Sequence, residues 1–249
     1  MTDVIRITMW SGPRNVSTAM MRSFENRSDT SVSDEPFYAA YLRATGLNHP
    51  MRDAVLASQP HDPAAVIAAL LGPVPDGQTI WYQKHMTHHM LPDFDRNWLD
   101  QVTNAFLVRR PEAVLASYVE RRAEVTLADI GLPQQVEIFE RVADRLGAAP
   151  PVLEGADVLA APQSALSALC RRCGIPFDAA MLAWPAGPRP SDGAWAPAWY
   201  DKVEASTGFG PPRAEVAFAE LRDDLKPIAE AAQPYYERLA RHRIGVKLS

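Results

Sequence analysis

An apolar run rich in β-branched residues, Val4 to Trp10 (VIRITMW), stops at the turn formers SGPRN. A helical pattern, STAMMRSFENR, follows from Ser17, with Ala19, Met20 and Phe24 on one side. A strand, a tight loop and a helix thus succeed one another. Four more short apolar runs, Thr30 to Ser33, Thr79 to Gln83, Asn104 to Val108 and Pro151 to Leu153, recur at intervals long enough to hold helices. Helical patterns fall at Phe37 to Thr45, Pro63 to Leu71, Pro111 to Glu124, Gln134 to Leu146 and Pro162 to Cys173. Pro111 suits a first helical turn, where its missing N–H would be unpaired anyway. Alternation of this kind predicts an α/β fold of three layers, α/β/α, with a mostly parallel central sheet.

The 249 residues suffice for one well-cored domain, and no shift of composition marks a boundary, so residues 1–249 are read as a single domain. A formal charge of −5 offers no basic face to replace counterions, which argues against a nucleic-acid partner. Cys170 and Cys173 are the only cysteines, too few for a secreted disulfide framework. Their CRRC spacing falls late in a helical pattern, where a half-buried pair is expected, whereas redox pairs open a helix after a strand. The N-terminal run lacks a basic segment and a small-residue cleavage site, and no run approaches membrane-spanning length. A cytoplasmic location without a membrane partner is the expectation; oligomeric state has no signature in the sequence.

Trp184 to Trp199 (WPAGPRPSDGAWAPAW) holds four prolines, two glycines and three tryptophans. It is too irregular for an element and too aromatic for a solvated linker, so an ordered covering loop is expected. Ala214 to Ala240 returns to helical periodicity and is expected to pack across the sheet.

Helix N-termini attract anions because their first N–H groups are unpaired and the peptide dipoles add there, so strand, turn and helix make a phosphate cradle. GPRNVST fits that geometry, with Arg14, Asn15, Val16, Ser17 and Thr18 as candidates. In the frame GxxxxGK followed by Ser or Thr, counted from Gly12, the last three places fall on Ser17, Thr18 and Ala19. The lysine and magnesium-holding hydroxyl of an ATP-type loop are therefore missing, while Arg14 with Ser17 and Thr18 suits a less charged group. The alternative is an ordinary βα turn capped by Ser17. A second feature favours a ligand. LVRRPEAVLASY puts Arg109 at the carboxyl end of a strand and Ser117 eight residues on, and ligands of open parallel sheets collect at those strand ends.

Together these two segments resemble those of the sulfotransferases that use 3′-phosphoadenosine 5′-phosphosulfate (PAPS). In that family a loop of the type PKSGTT or PRSGST holds the 5′-phosphosulfate, and PRNVST, Pro13 to Thr18, is similar to it. A second motif, RxPxxVxxS, binds the 3′-phosphate and is matched throughout by RRPEAVLAS. The resemblance implies a P-loop nucleotide-binding type of fold, PAPS as donor without a metal, and a small-molecule acceptor bearing a hydroxyl or amine. It also implies that Arg109 and Ser117 take the 3′-phosphate. VLEGADVLAAPQSALSALCRRCGIPF is similar to a further stretch of the family, and the likeness runs from Val4 to about Phe177. Beyond it, GPRPSDGAW resembles a loop that closes over the 3′-phosphate, which adds Arg189 and Gly193. SGPRNVSTAMMRSF and DEPFYAAYL look closest to a bacterial branch. Two departures stand out: Val16 replaces the loop glycine, at a site expected to need positive φ, and Ala19 stands where animal members carry an adenine-stacking tryptophan.

Sulfuryl transfer to a hydroxyl requires in-line placement, a base for the acceptor proton and positive donors along the leaving phosphate. By the resemblance, two segments offer the base. Glu35 in SDEPFY lies where some bacterial members aim a carboxylate into the site; alternatively Asp34 and Glu35 merely favour the dipole of the helix after Pro36. QKHMTHHM, Gln83 to Met90, lies where many members carry KxH. Lys84 fits the lysine that contacts the leaving oxygen, but Met86 takes the histidine place and His85 comes one residue early. A shift of one residue in a strand turns a side chain to the opposite face, so His85 reaches the site only if the strand has ended; His88 can return on a following turn. His85, His88 and His89 match no standard zinc spacing. His49, His61 and His242 are read as solvated surface residues, and Arg110 as a surface or supporting charge. Two other classes stay open: a P-loop phosphotransferase or nucleotide hydrolase, and a non-catalytic nucleotide-binding protein on the same scaffold.

Overall fold

In the computed structural model, which describes residues 4–247 except Arg121, Ala123 and Arg213, the five apolar runs form one sheet. Its strands are β1 (Ile5–Ser11), β2 (Thr30–Asp34), β3 (Ile80–Met86), β4 (Thr103–Val108) and β5 (Val152–Glu154). Their order is β2-β3-β1-β4-β5, and every neighbouring pair is parallel. The intervening helices are α1 (Ser17–Glu25), α2 (Tyr38–Thr45), α3 (Arg52–Ser58), α4 (Pro63–Leu71), α5 (Pro111–Tyr118), α6 (Leu127–Ile130) and α7 (Leu132–Leu146). After β5 come α8 (Gly155–Ala160), α9 (Pro162–Arg172), α10 (Ala196–Trp199), α11 (Asp201–Glu204) and α12 (Lys226–Ala240).

The sheet is buried on both faces, with a hydrophobic cluster under the helices on each side. In β4, Ala105 and Leu107 join Met20 and Phe24 of α1 and Leu166 and Leu169 of α9, whereas Phe106 and Val108 join Leu115 of α5, Phe139 of α7 and Leu239 of α12. β1 is central, Trp10 pairing with His85 on one side and Phe106 on the other. The carboxyl ends of β1, β3 and β4 therefore open at one edge of the sheet.

Several expectations are corrected. The helix at Pro111 stops at Tyr118, because the charged stretch beyond Val119 brings no apolar stripe to bury; Arg121 and Ala123 of that stretch lie outside the described residues. The C-terminal helix starts only at Lys226, past the prolines at 211 and 212, and packs chiefly on α7 and α5. The tryptophan-rich segment ends in one regular turn, α10, with Trp184 and Trp195 buried. Both cysteines are buried rather than half-buried, and burial pushes their thiols up to about 11 for Cys170 and about 12 for Cys173. No described helix is long and apolar enough to cross a membrane.

Candidate functional site

A Cβ on Gly12 would stand 2.4 Å from the Ile130 carbonyl oxygen, so the chain passes α6 here only as glycine. Asn15 ties the turn to the sheet: Nδ2 donates to the Leu107 carbonyl at 3.1 Å, and Oδ1 accepts from the Val16 N–H at 2.9 Å. The left-handed residue of the loop is Arg14, with φ 56°, not Val16, whose φ of −82° suits a branched side chain. Val16, not Ser17, is the N-cap of α1, and no side chain caps it. The Met20 N–H reaches the Val16 carbonyl at 2.9 Å. That leaves the N–H groups of Ser17, Thr18 and Ala19 without intrahelical acceptors, on the wall of a cleft of about 500 Å³.

Arg14 joins this loop to α5. Its Nε donates to Ser117 Oγ at 3.1 Å, while Arg109 donates to the Arg14 carbonyl oxygen. Arg14, Asn15, Val16, Ser17 and Thr18 line the cleft, and Arg109 and Ser117 contact Arg14 from outside its wall. Arg189 and Gly193 are not brought there. Arg189 lies 3.7 Å from Glu25 at the far end of α1, and the Gly193 N–H donates to Asp34 Oδ2 at 3.1 Å. Asp192, between them, pairs with the buried Arg22 at 2.7 Å and so pins that loop to α1.

β3 continues to Met86, and strand alternation decides where its last residues point. Lys84 and Met86 face the cleft, whereas His85 stacks on Trp10 with ring centroids 4.4 Å apart. His85 is a core residue and does not reach the cleft, because the strand runs past it. The turn Thr87–His89 carries His88 and His89 back to the wall.

Lys84 is enclosed by oxygens: Asp34 Oδ1 at 2.7 Å, Glu35 Oε1 at 2.5 Å and the Tyr200 hydroxyl at 2.7 Å. These use all three ammonium donors, so none is left for a leaving oxygen, the role implied by the resemblance. Tyr200 in turn donates to Asp34 Oδ2 at 2.7 Å and accepts from Trp195 Nε1 at 3.1 Å. Burial alone would lower the Lys84 pKa, but the carboxylates of Asp34 and Glu35 hold it well above its ordinary value. Glu35 is pushed up by burial, against the pull of Lys84 and with the help of the Asp34 charge. Its backbone, at φ 40°, is held by N–H donation to the Lys84 carbonyl at 2.9 Å.

Further groups on this wall include Tyr38, His49 and Arg122, for which no functional role was expected. His49 is buried rather than solvated, 2.9 Å from the Tyr38 hydroxyl and 3.1 Å from Arg122 Nη1. His89 stacks on Tyr38 at 4.5 Å and on Tyr41 at 4.8 Å. Burial holds these imidazoles neutral, His49 down to about 4, His88 to about 3 and His89 well below its ordinary value. His61 and His242 are exposed, and Arg110 pairs with Glu112 and Glu215 away from the cleft. The one signal for Tyr38 was its place beside Glu35 in DEPFY, and for Tyr200 its place at the end of the tryptophan-rich segment. Among the described residues no group of three His, Cys, Asp or Glu is placed to hold a metal ion.

A parallel sheet between helical layers, with a tight turn leading from its first strand into α1, defines a P-loop type of α/β protein. This chain belongs to the sulfotransferase domain family, whose model matches residues 5–243. Among solved structures, a sulfotransferase from Alicyclobacillus acidocaldarius superposes with a TM-score of 0.58 at 12% identity, covering 97% of each chain. The sulfotransferase domain of the Synechococcus olefin synthase gives 0.51 at 17% identity, over 93% of this chain and 95% of that one. Two Arabidopsis thaliana proteins named branched-chain-amino-acid aminotransferase-like protein 1 and 2 are 36% identical over 208 residues and 34% over 207. Each match covers 83% of this chain but only 37% and 36% of those proteins, so the chain spans just over a third of their length.

Proposed function

We propose that the protein transfers a sulfuryl group from PAPS to a hydroxyl or amine of a small-molecule acceptor, without a metal. The observation that carries this reading is the meeting of the α1 N-terminus, the Arg14–Ser117 contact and the buried Glu35 at one cleft, in a chain of the sulfotransferase family. Bound PAPS supplies the sulfuryl group, whose bond to the 5′-phosphate oxygen breaks as the acceptor atom attacks the sulfur. Arg14 and the N–H groups of Ser17, Thr18 and Ala19 neutralise charge on the 5′ side, because unpaired helix N–H groups and a guanidinium both favour an oxyanion. Arg109 and Ser117 hold the 3′-phosphate. Glu35 receives the acceptor proton; its raised pKa suits that task, since a base works best when its pKa approaches the working pH. Lys84 positions Glu35 rather than touching the leaving group, since its three donors are already committed.

The test is nucleotide selectivity followed by turnover. 3′-phosphoadenosine 5′-phosphate is expected to raise the melting temperature with magnesium chelated, and labelled sulfate is expected to pass from PAPS to a phenol. A shift that requires ATP and magnesium would instead mark a phosphoryl-transfer protein.

A further inference from the structure

Beyond Glu35 the cleft presents a cation and a hydroxyl whose partners are incomplete. Arg122 lines it, with Nη1 3.1 Å from His49 Nε2 and 3.4 Å from the Tyr118 hydroxyl, and no carboxylate pairs with it among the described residues. An arginine only donates, so His49 Nε2 must accept. The neutral ring then carries its hydrogen on Nδ1 and donates it to the Tyr38 oxygen at 2.9 Å. The depressed pKa of His49, at about 4, agrees with a neutral ring. The Tyr38 hydroxyl hydrogen is therefore left over, and none of the described residues accepts it. Tyr38 is buried and lines the cleft, and the Nδ1 atoms of His88 and His89 beside it are also buried without a hydrogen-bond partner, that of His89 lying 4.0 Å from Glu35 Oε2. A buried donor without an acceptor costs stability unless a ligand completes it.

Resting on the sulfotransferase reading, we propose that the acceptor carries a carboxylate, held by Arg122 and the Tyr38 hydroxyl. One guanidinium and one neutral donor match a single negative charge, whereas a phosphate with nearly two charges would call for a second cation. The position also fits. His89 bridges the two groups, its ring stacked on Tyr38 with centroids 4.5 Å apart and its Nδ1 4.0 Å from Glu35 Oε2, so the acid group lies within a few side-chain contacts of the base and the acceptor is a small hydroxy or amino acid in the chemical sense.

The protein saturated with 3′-phosphoadenosine 5′-phosphate is titrated calorimetrically with 4-hydroxybutanoate, 4-hydroxybenzoate and 3-(4-hydroxyphenyl)propanoate, each beside its own primary amide. At least one acid is expected to bind about ten- to hundredfold tighter than its amide. Arg122→Gln and Tyr38→Phe should each remove most of that difference and leave nucleotide affinity unchanged, with Arg122→Lys keeping part of it. Equal binding of acid and amide by the unaltered protein, or no binding of any probe, overturns the proposal, and this comparison stands even if a variant fails to fold. A loss in Arg122→Gln that falls on the nucleotide overturns it too. Absence of nucleotide binding at the first step overturns the donor assignment as well, whereas nucleotide binding without an acid preference overturns the carboxylate site alone.

Discussion

Arg14 reaches from the β1–α1 loop to Ser117 on α5, its Nε 3.1 Å from the serine Oγ, and Arg109 closes the same junction by donating to the Arg14 carbonyl. The left-handed backbone of Arg14, φ 56°, is thus held from both ends of its residue. Two segments about a hundred residues apart share one junction because β1 and β4 are adjacent parallel strands whose carboxyl ends open side by side.

Arg109→Ala is expected to weaken binding of 3′-phosphoadenosine 5′-phosphate by about 1.5–3 kcal/mol, the usual value of a hydrogen bond to a charged group, and Ser117→Ala by about 1 kcal/mol. Adenosine 5′-monophosphate, lacking the 3′-phosphate, should lose much less. Calorimetry with both nucleotides decides; equal losses for the two forms would mean that Arg109 only braces Arg14.

Glu35→Gln should lower turnover about 10²- to 10⁴-fold while nucleotide affinity stays unchanged. The base must be ionised to take a proton, so the rate should fall as pH drops through the Glu35 pKa, and burial places that acid limb above the ordinary carboxylate range. Transfer rates from PAPS to a phenol across pH check both points. A variant with full activity would remove Glu35 from the chemistry.

β1 and β4 were readable because each is a largely apolar run with β-branched residues between breakers, a local property. Strand ends were not, since the last residues of β3 stay in the sheet only because β1 and β2 flank them in register. That extension decides the fate of His85, which alternation sends onto Trp10. The β1–α1 turn was legible as a motif, yet its positive-φ residue was assigned to Val16 rather than Arg14, because φ depends on how Asn15 anchors to Leu107. His49 and Arg122 carry no local signature, and Tyr38 and Tyr200 carry only their places beside Glu35 and at the end of the tryptophan-rich segment. Each is an ordinary aromatic or polar residue that matters only after tertiary packing places it on a wall shared by segments far apart in the chain.

Removing Lys84 exposes how the buried carboxylates are held. Lys84→Met leaves Asp34 and Glu35 without their cation and is expected to cost about 3–5 kcal/mol in urea unfolding, whereas Tyr200→Phe, which removes one hydroxyl, should cost about 1–2 kcal/mol. Adding Asp34→Asn to Lys84→Met should recover part of the loss. Non-recovery would show that the carboxylates are not what destabilises the single variant.

Glu154, at the end of β5, is buried and accepts from the Tyr236 hydroxyl at 2.9 Å; burial pushes its pKa from an ordinary 4.5 to about 7. Between those values the folded state binds the proton that the unfolded chain has released. The stability that protonated Glu154 contributes is therefore complete below about pH 4.5 and is lost as pH rises through about 7, by an amount on the order of 3 kcal/mol. His49 acts in the opposite sense: with its pKa depressed from 6.5 to about 4, it costs stability as pH falls, because the unfolded chain takes up the proton first. The His49 contribution is common to the unaltered protein and Glu154→Gln, so it cancels in their difference. Unfolding free energies of the two at about pH 5 and about pH 8.5 should show the variant gaining relative stability at the higher pH. Parallel curves would mean that the Glu154 carboxyl ionises in the ordinary range despite its burial.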